Sequence, residues 1–185
     1  MKIFAVIAKV QLIQQPLWLE GFFRKHSATL DHHVTLKQVC YLEEEKIQDV
    51  KNRLEAYFHG SSVFGHKIEL SFDDLVVKKD VDGFETIMID AKENTIINEL
   101  QAGILACLKP YNDYVNKATE EYEKNFKPHI TIASNLDPAQ HESVLAELGV
   151  DYFCIGVINE IVLIIADKPG VEEGAKLENQ TLYRL

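Results

Sequence analysis

Two short segments of the sequence each place an imidazole and a hydroxyl two residues apart. They are His33-Val34-Thr35-Leu36 and His129-Ile130-Thr131-Ile132. Alternate residues of a β-strand point to the same face, so in a strand each histidine would share a face with its threonine, with apolar residues behind. Imidazole titrates near neutral pH, so two histidines can supply one base and one acid. Such a pair suits proton transfer at the attacking and leaving oxygens of a phosphodiester, while threonine hydroxyls hold its non-bridging oxygens.

The secondary-structure elements that would position these segments form a pattern that occurs twice. Apolar periodicity and turn residues predict the order strand, helix, strand, helix, strand in each half. In the first half these elements are 2–10, 16–27, 31–41, 43–59 and 66–78. In the second half they are 84–91, 95–109, 126–134, 138–149 and 151–158. Asp82-Gly83 predicts a hairpin turn between the halves. Residues 111–125 are predicted to form a polar loop, which is a candidate lid, and residues 160–167 and 179–185 are predicted to form two more strands.

The two histidines occupy equivalent strands of this repeat. From position 33 to position 129 the separation is 96 residues, about half of the 185-residue chain. A repeated β-α-β-α-β unit predicts two lobes related by a pseudo-twofold axis, with the motif strands facing one groove. We therefore expect one bilobal domain over residues 1–185, with lobes built around the His33 and His129 strands.

The paired His-x-Thr-hydrophobic motifs, in strands of two similar halves, resemble those of the two-histidine (2H) phosphoesterase superfamily. This superfamily includes bacterial 2′–5′ RNA ligase-like proteins and 2′,3′-cyclic nucleotide phosphodiesterases. The second motif is the closer match, because an aromatic residue and Pro128 precede it. The resemblance implies an α+β fold with mainly antiparallel sheets around a central groove. It also implies that His33 and His129 are catalytic and that Thr35 and Thr131 bind phosphate.

The expected activity is metal-independent hydrolysis of a cyclic phosphodiester, the 2′,3′-cyclic phosphate of a nucleotide or short RNA end. No cofactor and no metal are expected. Two alternatives stay open: 2′–5′ RNA ligase or 2′–5′ phosphodiesterase activity at the same site, and a nucleotide- or RNA-binding module without catalysis. A third alternative is a purely structural protein in which the repeat is a coincidence.

Four further residues are candidates for binding substrate. Lys37 follows His33 along the same predicted face, and Lys127 precedes His129 on its face. Both lysines could instead be solvated at the groove rim. Tyr122 or Phe126 could stack on a base, although Phe126 also fits a role in core packing. The other five histidines are interpreted as surface or structural residues: His26, His32, His59, His66 and His141.

The composition limits the partners of the protein. The chain has 29 acidic and 19 basic residues and a formal charge of −10, so a long nucleic acid is not expected and a phosphate-bearing substrate should be short. Its longest apolar runs, 3–8 and 161–166, are too short to cross a membrane. The three cysteines lie far apart in apolar segments, which indicates that they are reduced core residues of a cytoplasmic protein. We expect the protein to be a monomer.

Overall fold

The computed structural model describes residues 1–27, 31–61, 65–80 and 83–185. The strands are β1 (Lys2–Gln14), β2 (His33–Leu42), β3 (Ile68–Lys79), β4 (Glu85–Ala91), β5 (His129–Leu136), β6 (Cys154–Ala166) and β7 (Gln180–Arg184). The α-helices are α1 (Leu19–His26), α2 (Ile47–Gly60), α3 (Thr95–Cys107), α4 (Thr119–Lys124), α5 (His141–Leu145) and α6 (Val171–Ala175). Single 3₁₀ turns occupy Glu44–Lys46, Pro138–Gln140 and Leu177–Asn179. The β-α-β-α-β order predicted for each half is present, in an α+β fold.

All pairings in the sheet are antiparallel, and the strand order is β2-β1-β6-β3-β4-β5, with β7 added on β6. Exchanging β1 with β4, β2 with β5 and β3 with β6 reads this order backwards. The sheet therefore has a pseudo-twofold axis between β3 and β6. Although β2 and β5 are its outer strands, their Cα atoms come within 8 Å of each other. The sheet is thus curved enough to bring the two motif strands together.

The lobes differ from the predicted ones in their third strands. The β-α-β-α-β repeat predicts that each lobe is one continuous half of the chain. In the structure, β6 from the second half pairs with β1, and β3 from the first half pairs with β4. The first lobe is therefore β2, β1, β6 and β7, and the second lobe is β3, β4 and β5. Each half contributes its third strand to the lobe of the other.

Two other expectations need correction. The predicted strands 151–158 and 160–167 form a single strand, β6, which pairs continuously with β1 through a register shift near residue 159. Residues 111–125, expected to be a mobile loop, contain α4 and are attached to β2 by the backbone hydrogen bonds Tyr41 N to Asp113 O (2.7 Å) and Val115 N to Val39 O (3.0 Å). Of the predicted Asp82-Gly83 turn, Asp82 lies outside the described residues and Gly83 has a φ of 91°.

The hydrophobic core lies on one face of the sheet. The even-numbered residues of β1 from Phe4 to Val10 are buried, whereas Ala5, Ile7 and Lys9 are partly exposed on the other face. Helices α1, α2 and α3 each bury one apolar side in the same core: Leu19 and Phe22; Val50, Leu54 and Phe58; Ile97, Leu100 and Ile104. Since α1, α2 and α3 cover this face, the other is left for the groove. Within the described residues, no helix is long and apolar enough to cross a membrane.

Candidate active site

The two motifs begin β2 and β5 and direct their histidines and threonines to the groove face. Thr35 lies opposite Ile7 of β1, which is on the face away from the helices. His33 and Thr35 are partly exposed, while Val34 and Leu36 are each 1% exposed. The β5 motif has the same pattern, with its two apolar residues fully buried. The predicted alternation of both motifs is therefore what the structure shows.

Each catalytic candidate is held by a hydrogen bond to the backbone two residues before it. His33 Nδ1 lies 3.1 Å from the carbonyl oxygen of Asp31, and His129 Nδ1 lies 2.9 Å from that of Lys127. A carbonyl oxygen only accepts, so Nδ1 must carry the proton in both rings. This fixes the tautomer and leaves each Nε2 to take or give a proton. The two imidazoles are thus prepared for chemistry in the same way.

Burial lowers the pKa of both imidazoles below the usual 6.5. In each case desolvation is the largest cause, and the hydrogen bond from Nδ1 opposes it. A charge on His129 lowers the pKa of His33 further, so the two rings are within electrostatic reach. At His129 the carboxylate of Asp90 raises the pKa, whereas the ammonium groups of Lys78 and Lys127 lower it.

A β-bulge after each motif changes the face on which the strand continues. On β2, Thr35 pairs with Ile7, but Lys37, two residues later, pairs with Val6 only one residue away. The extra residue turns Lys37 to the core face that Val6 occupies. On β5, the pairings of Thr131 with Met88 and of residue 133 with residue 87 show the same shift. The bulge is therefore duplicated along with the motif.

Lys37 consequently does not face the groove, and its predicted place beside His33 is wrong. Its side chain is 0% exposed, and its Nζ lies 3.0 Å from a carboxylate oxygen of Glu123 and 3.2 Å from the Tyr114 hydroxyl. The Glu123 carboxylate also accepts hydrogen bonds from the Tyr114 hydroxyl (2.6 Å) and the Gln38 backbone N–H. This buried cluster joins β2 to the segment containing α4.

The other three substrate-binding candidates have different surroundings. Lys127 forms ion pairs with the buried carboxylate of Asp90 (2.7 Å) and with Asp74 (3.3 Å), and its charge reaches His129. Tyr122 is 43% exposed, and the Nζ of Lys78 lies 4.5 Å from its ring centroid. Phe126 is partly buried against the hydrophobic core, which is the packing role that the sequence also allowed.

Three charged residues at the site were missed in the sequence. Lys9 pairs with His33 across β1 and β2, and Asp90 pairs with His129 across β4 and β5. Lys78 of β3 is close enough to His129 to influence its pKa. The signal for Lys9 and Asp90 was a charged residue inside an otherwise apolar strand, which is costly unless the residue has a partner or a function.

The sequence profile of the 2′–5′ RNA ligase superfamily matches residues 5–170, which include both motifs. The chain belongs to the 2′–5′ RNA ligase superfamily. Its members are 2H phosphoesterases and act on phosphodiester bonds, so the resemblance predicted from the two motifs is confirmed. No protein with a curated description matches the chain significantly in sequence.

Solved structures similar to this superfamily member share its fold at low sequence identity. Usb1 of Kluyveromyces marxianus has a TM-score of 0.59 at 8% identity, covering 99% of this chain and 98% of that one. TT0787 of Thermus thermophilus has a TM-score of 0.53 at 14% identity, with coverage of 100% and 95%. LigT of E. coli, in complex with 3′-AMP, has a TM-score of 0.51 at 11% identity, with coverage of 100% and 94%. The similarity extends over the whole chain and supports the bilobal fold.

The chemistry available at this 2H site is acid–base chemistry. The imidazoles of His33 and His129 interact electrostatically, each donates from Nδ1 to a backbone carbonyl, and each is followed by a threonine two residues later. Among the residues that the structure describes, no three His, Cys, Asp or Glu side chains converge in a cluster that could hold a metal ion. Burial raises the pKa of the thiols of Cys40 and Cys107 to about 11 and that of Cys154 to about 12, so they are poor nucleophiles at neutral pH.

Proposed function

We propose that this protein is a metal-independent phosphoesterase that hydrolyses a 2′,3′-cyclic phosphate on a nucleotide or short RNA end. The observation that carries the proposal is the matched pair of Nδ1 hydrogen bonds, His33 to Asp31 O and His129 to Lys127 O. Such control of the tautomer leaves the lone pair of Nε2 available to accept a proton. Finding it at both histidines supports one acid and one base.

In the proposed reaction, the water oxygen attacks phosphorus in line with the ribose oxygen that leaves. One imidazole, neutral at Nε2, takes a proton from the water as the new P–O bond forms. The other, protonated at Nε2, gives its proton to the ribose 2′ or 3′ oxygen as that P–O bond breaks. The product is a nucleoside monophosphate, and the two histidines have exchanged protonation states. Thr35 and Thr131 donate hydrogen bonds to the non-bridging oxygens.

The local charges support a short phosphate-bearing substrate. The chain carries a net charge of −10, yet Lys9 pairs with His33 in the sheet, and Lys78 and Lys127 act on His129. Lys127 is paired with Asp90 and Asp74, so the positive charge near the histidines is local and comes from single side chains. Structures of the same fold were solved with uridine monophosphate in Usb1 and with 3′-AMP in LigT, which supports a nucleotide as the ligand.

The test is turnover of the four 2′,3′-cyclic nucleoside monophosphates in excess EDTA. We expect activity that survives EDTA and falls by at least ~100-fold in both His33→Ala and His129→Ala, because each removes an acid or a base. Ala102→Leu on the exposed side of α3 is the control for handling and folding. Activity lost in EDTA and restored by a divalent cation would contradict the metal-independent mechanism, and so would a full rate in either histidine variant.

The alternatives predict other results with the same protein. A 2′–5′ ligase or 2′–5′ phosphodiesterase would join or cleave 2′–5′-linked oligonucleotides faster than it opens the cyclic phosphate. A binding module would be stabilised by nucleotides in a thermal-shift assay without turning them over. In both cases the variants at His33 and His129 should lose the response, since the same groove is used.

A further inference from the structure

In the first lobe, β7 occupies a strand position whose equivalent in the second lobe is the outer edge of β3. Residues 160–164 of β6 pair with β1 on one side and with β7 on the other. Their equivalents are residues 74–78 of β3, since each segment begins opposite the residue that pairs with a motif histidine. Residues 74–78 pair with β4, but no strand that the structure describes pairs with their other side, because β6 leaves β3 at Phe72. We refer to residues 73–79 as the β3 edge.

The backbone of the β3 edge can accept a further strand. Asp80 N donates to Phe84 O at 2.9 Å, in the hairpin that joins β3 to β4. Hydrogen-bonded positions alternate along an antiparallel pair, so the even-numbered residues of the edge bond to β4. The N–H and C=O groups of Leu75, Val77 and Lys79 therefore point to the outer side. Val77 is 40% exposed, so another strand can reach this side.

The side chains of the β3 edge are complementary to themselves. The edge reads Asp-Asp-Leu-Val-Val-Lys-Lys, with its acidic residues at one end and its basic residues at the other. If a second copy lies antiparallel with Val76 opposite Val76, Asp74 of each copy is opposite Lys78 of the other. Leu75 is then opposite Val77, and both carry outward N–H and C=O groups, as hydrogen-bonded positions require. A shift by two residues, the smallest that keeps these positions, loses both ion pairs.

Charged residues on an edge strand usually oppose such pairing, because lysines repel the lysines of a second edge. The β3 edge differs in carrying two acidic and two basic residues, so it is neutral in a chain with a net charge of −10. Opposite charges placed directly across two strands stabilise the pair. Asp74 also contacts Lys127 at 3.3 Å, but its side chain is 64% exposed and remains accessible to a lysine of a second copy.

We propose that two copies of this protein associate through the β3 edge, antiparallel to each other around a twofold axis at Val76. Each copy then supplies to the second lobe of the other the strand that β7 supplies to the first lobe. The same surface is used by both copies, so the assembly closes at a dimer. Backbone hydrogen bonds between two added strands provide the affinity, and the two ion pairs fix the register. This inference goes beyond the proposed function and does not depend on it.

The test is the association of the whole chain, measured by sedimentation between about 1 and 500 µM, since a strand pair buries less area than a standard interface and should bind in the micromolar range. Asp74→Lys and Lys78→Asp each place like charges opposite each other and should weaken self-association at least about tenfold. In a mixture, one variant carries two lysines and the other two aspartates at the paired positions. The mixture should therefore form dimers with one copy of each variant, with a dissociation constant within about threefold of wild type. Native mass spectrometry identifies the two chains by their masses.

Glu43→Lys and Lys46→Asp are the matched controls, because they make the same kinds of charge change at exposed positions before α2. Both should associate as wild type does, alone and mixed. The wild-type protein provides a further measurement that needs no variant. Raising NaCl from about 50 to 500 mM should weaken the dimer at least about threefold, because salt screens the ion pairs.

Four results would overturn the proposal. They are a wild-type protein that stays monomeric over the whole range, a dimer that Asp74→Lys and Lys78→Asp do not weaken, a mixture of these variants that stays monomeric, and growth beyond a dimer. Melting temperatures of the variants show that they are folded when association is measured. Turnover of cyclic nucleotides is measured separately, so a dimer without turnover would support this inference while the proposed function fails.

Discussion

Replacement of Lys37 distinguishes a structural lysine from one that binds substrate. Lys37→Met removes the ammonium group that lies 3.0 Å from the Glu123 carboxylate, in a place where the lysine is 0% exposed. Removing one partner of a buried ion pair costs about 3–5 kcal/mol, because the remaining charge stays buried. Here the Gln38 N–H and the Tyr114 hydroxyl still donate to Glu123, so we expect the lower end, about 3 kcal/mol. For a chain of this size that lowers the melting temperature by about 6–12 °C.

The measurement is thermal unfolding together with cyclic nucleotide kinetics at a temperature where all variants are folded. Lys46→Met is the control, because Lys46 is exposed, and its stability should change by less than about 0.5 kcal/mol. The double variant Lys37→Met with Glu123→Gln removes both charges and should regain most of the lost stability. An unchanged melting temperature with a raised KM in Lys37→Met would refute the reasoning and return Lys37 to the substrate.

Three further predictions concern the histidines. Burial lowers the pKa of His32, His33 and His129, so the unfolded chain binds more protons than the folded protein near pH 6. The free energy of unfolding should therefore fall as the pH drops below about 6.5. His32→Phe should reduce the difference in melting temperature between pH 7.5 and 5.5, and His66→Phe, at an exposed site, is its control. The pH profile of kcat/KM should be bell-shaped with its maximum below pH 6.5, because the acid histidine loses its proton at its lowered pKa; a maximum above 7.5 would contradict this. On bis(p-nitrophenyl) phosphate, whose nitrophenolate leaves unprotonated, the alanine variant of the acid histidine should keep more of its activity than the alanine variant of the base histidine, and equal losses in His33→Ala and His129→Ala would argue against this division of roles.

The parts of the fold that sequence could predict are those fixed by local periodicity. Alternation across His33 to Leu36 and across His129 to Ile132 gave the faces of both motifs, because a strand repeats every two residues until a bulge interrupts it. The bulge after Thr35 could not be foreseen, because it is defined by pairing with β1, which is distant in sequence. Alternation alone therefore places Lys37 on the groove face, whereas the bulge turns its side chain to the core.

Strand partners were the other feature that local signals did not determine. The hairpin turn at Gly83 correctly joins β3 to β4, but it could not show that β3 also leaves its own half of the repeat. That exchange depends on β6 fitting between β1 and β3, where Ile161, Leu163 and Ile158 are fully buried. Such a fit depends on complementary surfaces from both halves. The position of β7 has the same origin, since Gln180 lies beside Ile164 only because β7 pairs with β6.

The repeat and the departure from it account for different parts of the chemistry. The repeated elements extend from β1 to β6 and supply two equivalent imidazoles, which the proposed mechanism uses as acid and base on opposite sides of phosphorus. Equivalent imidazoles alone would not determine which way a substrate lies. The segment after β6 has no counterpart in the first half, because β3 leads directly into β4. It adds β7 and residues 168–180, which line a cavity beside His33, to the first lobe only. Lys9 and Asp90, at equivalent positions of β1 and β4, add opposite charges. In the proposed mechanism, the duplicated part thus supplies both proton-transferring groups, whereas the unduplicated segment makes the two sides of the groove unequal.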